Sequence, residues 1–184
     1  GTQPENGEAD RAMRTPAGWV AFRLTGQSNL GIGEAAGMFP IDQSTNDYDS
    51  ALLDSFDALV ADDNTTPLRD LLPQVRCAGQ EAGCLNHTGT VLLDLLEGIP
   101  VAPAEGDQPA ALAGSLIGNA GMVSVSFGTS VCANSVGDRV FKGVSDAVDH
   151  FCAPDGKPIN MVWLRNGTTY MNSKIGRASC RERV

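Results

Sequence analysis

The sequence predicts an α/β fold, and three observations support that prediction. The chain of 184 residues is rich in small residues, with 21 glycines, 42% hydrophobic residues and only 5% aromatic residues. Apolar residues recur at helical intervals in its first two-thirds, for example Leu52, Leu53 and Phe56. After about residue 118 the period becomes two, in residues 122–127 and 131–136, which is typical of a β-hairpin.

The first two-thirds of the chain predict a series of helices. A helix begins near Thr15, with Pro16 at its first position, and ends at Gly26. Further helices are expected over residues 48–60, over residues 88–96 before Gly98, and over residues 107–116. A short helical turn is expected to end at Pro73. Residues 31–42 are interpreted as a glycine-rich connector, and residues 99–103 as a short buried strand.

The last third predicts a meander of three strands. Residues 161–164 follow the hairpin as a third strand, and residues 143–158 between them are expected to form a loop. Residues 167–169 are expected to begin a turn or helix. The change of period near residue 118 predicts a domain boundary there.

Composition excludes some classes of function. The formal charge of −9 argues against non-specific binding to nucleic acid, which needs basic patches. No stretch reaches the eighteen or so apolar residues that span a bilayer, and the polar first residues do not resemble a signal peptide. The five cysteines lack metal-ligand spacing, so reduced thiols and a cytoplasmic location are expected.

The final residues, 174–184, differ in composition from the rest of the chain. They carry four basic side chains and one acidic one; without them the chain has 9 basic and 21 acidic residues, a formal charge of −12. They are similar to a translated sequencing adapter, so we expect a non-native tail and leave it out of the fold prediction.

Three short motifs are candidates for chemistry. Asp107, in Glu-Gly-Asp-Gln before a helix, could accept a hydroxyl proton as a general base, or could simply cap the helix. Residues 126–130, Ser-Phe-Gly-Thr-Ser, could contact a phosphate, or could be an ordinary hairpin turn. Residues 31–36 match a G-x-G-x-x-A dinucleotide fingerprint, but no β-strand is predicted before them, so a dinucleotide site is not expected.

The order and separation of these motifs resemble the FGGY carbohydrate kinases, a family that includes xylulokinase, gluconokinase and glycerol kinase. The resemblance begins with Trp-Val-Ala-Phe-Arg-Leu-Thr-Gly at residues 19–26 and continues through Gly-Asp-Gln at 106–108 to Gly-Thr-Ser at 128–130. It covers nearly all of residues 10–172. Pro109 departs from the family pattern, although proline is easily accommodated in a first helical turn.

The resemblance implies an actin-like ATPase fold, also called ribonuclease H-like, and a set of roles. Asp107 would be the catalytic base that takes the proton of the attacking sugar hydroxyl, and Asp107 with Gln108 would contact the substrate. Gly128, Thr129 and Ser130 would contact the phosphates of ATP, and Mg²⁺ would bridge those phosphates. No protein residue is assigned to the metal.

The same resemblance implies parts of two domains. Residues 1–118 would be the C-terminal part of the sugar-binding domain, and residues 119–173 the start of the ATP-binding domain. The expected partner is a sugar or polyol substrate, and no nucleic acid or membrane partner is expected. The full-length protein could form a homodimer. We expect an internal fragment without activity of its own. A non-catalytic actin-like protein that binds ATP or sugar is the alternative.

Overall fold

A computed structural model describes residues 12–61, 66–140, 143 and 145–181, with side chains as far as Lys174. It consists of two connected parts, which we call the α-rich part (12–114) and the sheet part (123–181). The α-rich part contains the following elements in chain order: α1 (Pro16–Thr25), β1 (Asn29–Gly31), α2 (Ile32–Met38), β2 (Ile41–Asp42), β3 (Asp47–Tyr48), α3 (Ser50–Leu59), α4 (Leu68–Leu71), β4 (Gln74–Arg76), α5 (His87–Leu93) and α6 (Asp107–Gly114). The sheet part contains β5 (Val123–Phe127), β6 (Val131–Val136), β7 (Asp149–Cys152), β8 (Pro158–Leu164) and α7 (Gly167–Arg181).

Helix α1 begins and ends where the sequence predicts. The Thr15 hydroxyl accepts a hydrogen bond from the Gly18 amide at 3.2 Å, and Pro16 occupies the first turn. Gly26 closes the helix with φ +76°, a left-handed conformation that glycine adopts without strain. The helices over residues 48–60 and 107–116 are confirmed in the same way, as α3 and α6.

The connector predicted over residues 31–42 is wrong, because β1 and α2 occupy it. β1 pairs in parallel with β4, so that Leu30 lies opposite Val75. Leu30 is fully buried in a core that includes Ala35, Tyr48 and Leu53. A β-strand therefore does precede the Gly-x-Gly motif.

Residues 88–103 also differ from the prediction. α5 ends at Leu93 rather than at Leu96, because Asp94 adopts a left-handed conformation with φ +54°. Aspartate enters this region more easily than most residues, since its short side chain can bond locally. The strand predicted over residues 99–103 is reduced to one isolated bridge between Cys84 and Pro100.

The sheet part has four antiparallel strands in the order β5-β6-β8-β7. The predicted hairpin is confirmed, with Phe127 paired to Val131 across its turn. The predicted loop over residues 143–158 is wrong in part, because β7 lies within it and forms an edge of the sheet. A second core, around Leu112, Val136 and Ile159, joins α6 to this sheet.

Candidate active site

Asp107 is the first residue of α6. Gly106 is the N-cap, and no side chain caps this helix end. The Asp107 side chain is exposed, and its Oδ1 accepts a 2.8 Å hydrogen bond from the amide of Gln108. A carboxylate here is also favoured by the positive end of the helix dipole. Asp107 therefore does not cap the helix, and capping does not explain an aspartate at this position.

Gln108 connects the two parts of the molecule. Its Oε1 accepts a 3.4 Å hydrogen bond from Nδ2 of Asn134, a residue of β6 that is only 4% exposed. Sequence reasoning did not single out Asn134. The one available signal was an amide side chain among the inward-facing positions of a predicted strand.

A cavity of about 160 Å³ lies beside these residues. It is lined by polar groups from α2, α6 and β6 and by apolar side chains from α6, β7 and β8, among them Glu34, Asp107, Gln108, Asn134, Leu112, Phe151 and Ile159. The site therefore offers an exposed carboxylate and two amide side chains against an apolar wall, a combination that can orient a hydroxyl compound.

Residues 128–130 form the turn between β5 and β6, and the start of α7 holds it. The amides of Gly167 and Thr168 donate to the carbonyls of Thr129 and Gly128 at 2.9 and 3.0 Å. Within the described residues, the hydroxyls of Thr129 and Ser130 have no hydrogen-bond partner. A turn with anchored carbonyls and available hydroxyl donors fits a phosphate group.

This turn does not line the cavity of Asp107. Ser130 lies four residues before Asn134, which is roughly 13 Å along an extended strand. Strand β6 thus carries the turn near one end and the amide partner of Gln108 in its middle. Asp107 and Gln108 on α6 thus lie beside the middle of this strand, and the two predicted halves of the site do not share one pocket.

Glu105 is a second carboxylate near the site that sequence reasoning did not identify. Its Oε1 and Oε2 accept hydrogen bonds from the amides of Gly33 and Glu34, at 3.2 and 2.7 Å. Burial raises the pKa of Glu105 to about 7, and the nearby Glu34 carboxylate also raises it, against the opposing effect of the two amides. A turn glutamate carries no sequence signal of such burial.

No group of three or more metal-ligating side chains capable of holding a metal ion occurs among the described residues. The cysteines with described side chains, Cys77, Cys84, Cys132 and Cys152, form no disulfide. None of the described helices is long and apolar enough to cross a membrane.

Comparison with known proteins gives the family. The model of the FGGY family of carbohydrate kinases, N-terminal domain, matches residues 2–114. The chain belongs to the FGGY family. The fold is the actin-like α/β fold of these kinases, present here in part, as the sequence predicts.

Individual relatives agree with the family assignment. Glycerol kinase 1 of Streptomyces avermitilis is 31% identical over 133 residues, which is 69% of this chain and 24% of the relative. Glycerol kinase 2 of Streptomyces coelicolor is 31% identical over 147 residues, or 77% of this chain and 27% of the relative. The chain thus spans about a quarter of the length of these relatives.

Solved structures share the fold at lower identity. A xylulose kinase from Brucella ovis superposes with a TM-score of 0.73 at 21% identity, over 90% of this chain and 33% of the other. Plasmodium falciparum glycerol kinase with ADP superposes with a TM-score of 0.67 at 18% identity, over 89% of this chain and 32% of the other.

Proposed function

We propose that this chain is part of an ATP-dependent carbohydrate kinase in which Asp107 is the general base. The carboxylate of Asp107 accepts the proton of a substrate hydroxyl, whose oxygen forms a bond to the γ-phosphorus of ATP while the bond to the β-phosphate oxygen breaks. The observation that carries this proposal is the free position of Asp107 at the start of α6, exposed and beside the cavity, in a chain of this family.

Gln108 orients the substrate in this proposal. Its amide nitrogen is available to a hydroxyl because its oxygen accepts from Asn134. Asn134 is buried in β6, so it holds Gln108 from the sheet part while α6 holds it from the α-rich part. Substrate binding would therefore depend on both parts being in contact.

Gly128, Thr129 and Ser130 bind the phosphates of the nucleotide. The hydroxyls of Thr129 and Ser130 donate to phosphate oxygens, and α7 keeps the turn in place through Gly167 and Thr168. Mg²⁺ bound with the nucleotide would supply positive charge that offsets the negative charge developing on the phosphates.

We further propose the domain limits that the sequence predicts. Residues 1–118 belong to the sugar-binding domain and residues 119–173 to the ATP-binding domain, which agrees with a family match that ends at residue 114. Residues 174–184 remain a proposed non-native tail, although α7 continues through Lys174 as far as Arg181.

The location proposed for the protein is the cytoplasm. The use of ATP and the unpaired thiols of the described cysteines favour this location.

The substrate class is a sugar or polyol, and the relatives named above act on more than one such compound by name. The competing proposal is an actin-like protein that binds ATP or sugar without catalysis. The exposed carboxylate of Asp107 favours the kinase, because phosphoryl transfer needs a proton acceptor at the substrate hydroxyl, whereas binding can be met by amide side chains alone.

The proposal is tested with the full-length protein, purified and incubated with ATP, Mg²⁺ and a panel of glycerol, pentuloses, hexuloses and aldonates. We expect ADP release that depends on one class of the panel, with a phosphorylated product by mass spectrometry. Binding of ATP and of a panel compound by calorimetry, without any product, would support the binding protein instead.

A further inference from the structure

The Gly-x-Gly motif of residues 31–36 has the context of an anion site, a β-strand followed by a helix, but the chain fills it with its own carboxylate. Glu105 occupies the start of α2, where the amides of Gly33 and Glu34 donate to its two oxygens at 3.2 and 2.7 Å. A Cβ on Gly33 would lie 2.8 Å from Oε2 of Glu105, and one on Gly31 would overlap Oε1. Gly31 thus makes room for Glu105, and Gly33 makes room for Pro109, at 2.7 Å, as well as for Glu105, so the space is not left for a nucleotide.

The same contact fixes the backbone that leads to Asp107. The Gly31 amide donates to the Ala104 carbonyl at 2.7 Å, immediately before Glu105. Gly106 follows and lies so close to the Glu34 carboxylate that a side chain at this position would overlap it. Three hydrogen bonds therefore hold residues 104 and 105 against the β1–α2 junction, two positions before Asp107.

We propose that Glu105 is a positioning residue, whose carboxylate fastens the 104–106 turn to α2 and so aims Asp107 at the substrate hydroxyl. The inference rests on the role proposed for Asp107. It assigns to Glu105 no contact with substrate. Small displacements of a base cost rate because proton transfer needs close, aligned atoms.

The charge on Glu105 is essential to this role. A carboxylate accepts from both amides, whereas a protonated carboxyl offers one acceptor and places its O–H against an N–H donor. Glu34 on α2, Cys77 after β4 and Cys152 on β7 are the titratable groups that interact with Glu105 in the described part of the chain, and none is a cation. The hydrogen bonds from Glu105 that fasten the turn to α2 should therefore weaken as the pH falls below about 7, the pKa of this carboxyl.

The test compares Glu105→Gln with wild type in the full-length protein, with Glu97→Gln as a matched change at an exposed glutamate outside the site. We expect Glu105→Gln to lower kcat about ten- to a hundredfold, while KM for ATP stays within about twofold. In wild type, kcat should rise with pH through about 7. This rise of kcat with pH should be absent from Glu105→Gln. Glu105→Asp, which keeps a carboxylate, should have a kcat between those of Glu105→Gln and wild type.

Two results would overturn the inference: a wild-type kcat in Glu105→Gln, or a reduced kcat with the wild-type pH profile intact, which indicates a merely structural role. The Asp107→Asn variant separates this failure from that of the proposed function. If Asp107→Asn is inactive and Glu105→Gln behaves as wild type, the role of Glu105 alone is wrong. If Asp107→Asn remains active, the base assignment itself fails.

Discussion

A single backbone position separates two interpretations of Asp107. The carboxylate of an aspartate at the N-cap would accept hydrogen bonds from the amides of the first turn. Gly106 takes that position instead, and Asp107 is left exposed with only the amide of Gln108 on its Oδ1. The sequence Glu-Gly-Asp-Gln is compatible with both arrangements, and only the fold decides between them.

Glu105 should make stability depend on pH. Its pKa is raised from 4.5 to about 7 in the fold, so between these values the folded state binds more protons than the unfolded state. Stability from this group is therefore present in acid and decreases as pH rises through 7, because burying the charge costs more than its two amide hydrogen bonds contribute, although those bonds need the charge. The melting temperature of the full-length wild type minus that of Glu105→Gln should decrease from pH 5 to pH 7.5. A difference that is constant or increases would contradict the burial of this carboxyl.

At the scale of elements, α7 and the β5–β6 turn act together. Gly167 begins α7 directly against the turn, and a Cβ at this position would overlap Val131 and approach the Gly128 carbonyl at 3.2 Å. The two carbonyls of the turn are bonded to the first amides after Asn166. The position of the proposed phosphate contacts thus depends on a helix that follows them by about forty residues.

Gly167→Ala should displace that turn. We expect KM for ATP in the full-length protein to rise about ten-fold, the scale of a lost hydrogen bond or two, with a smaller effect on KM for the sugar. Gly114→Ala is the matched control, because a Cβ there meets no atom within 4 Å. Equal KM values for ATP in the two variants would show that the turn does not bind phosphate.

Local signals predicted the elements that depend on local chemistry. Thr15, Pro16 and Gly26 set the limits of α1, and strict alternation identified β5 and β6. β1 was not predictable, because three residues show no period and become a strand only by pairing with β4, more than forty residues later. β7 is likewise a short edge strand, whose identity comes from pairing with β8.

The candidate site divides in the same way. Asp107 and Gly128 lie in short motifs, so the sequence could identify them. Asn134 and Glu105 owe their positions to contacts across the fold, with Gln108 and with α2 respectively. Asn134 has one signal, its inward-facing position in a predicted strand, and Glu105 has none, so the contacts that bring both to the site could only be found from the structure.

At the scale of the whole molecule, polar contacts join the α-rich part to the sheet part. Besides the Gln108–Asn134 bond, the Ala78 amide donates to the Pro154 carbonyl at 2.6 Å, and Nε2 of Gln43 donates to Sγ of Cys152 at 3.7 Å. The sheet part leaves large apolar side chains uncovered, with Phe127 63% and Leu164 64% exposed. β5 is also an edge strand, with Val125 48% exposed.

These 184 residues alone should therefore associate and show no turnover. An exposed apolar edge strand pairs readily with another chain, and a charged residue on it opposes this. We expect light scattering to show oligomers or aggregates, and Val125→Lys to increase the monomer fraction. The matched control is Val20→Lys on α1, a valine of similar exposure (50%) that lies away from the edge strand. ATP-dependent phosphorylation of a sugar by this chain would contradict the proposal that it is a fragment.

The most direct measurement of the central claim is the single-turnover rate of Asp107→Asn in the full-length kinase, with ATP binding measured in parallel. Asparagine keeps the size of the side chain and removes the proton acceptor. We predict a loss of about 10²- to 10⁴-fold in phosphoryl transfer, with the affinity for ATP unchanged. Sugar-dependent transfer at the wild-type rate would contradict the assignment of Asp107 as the base.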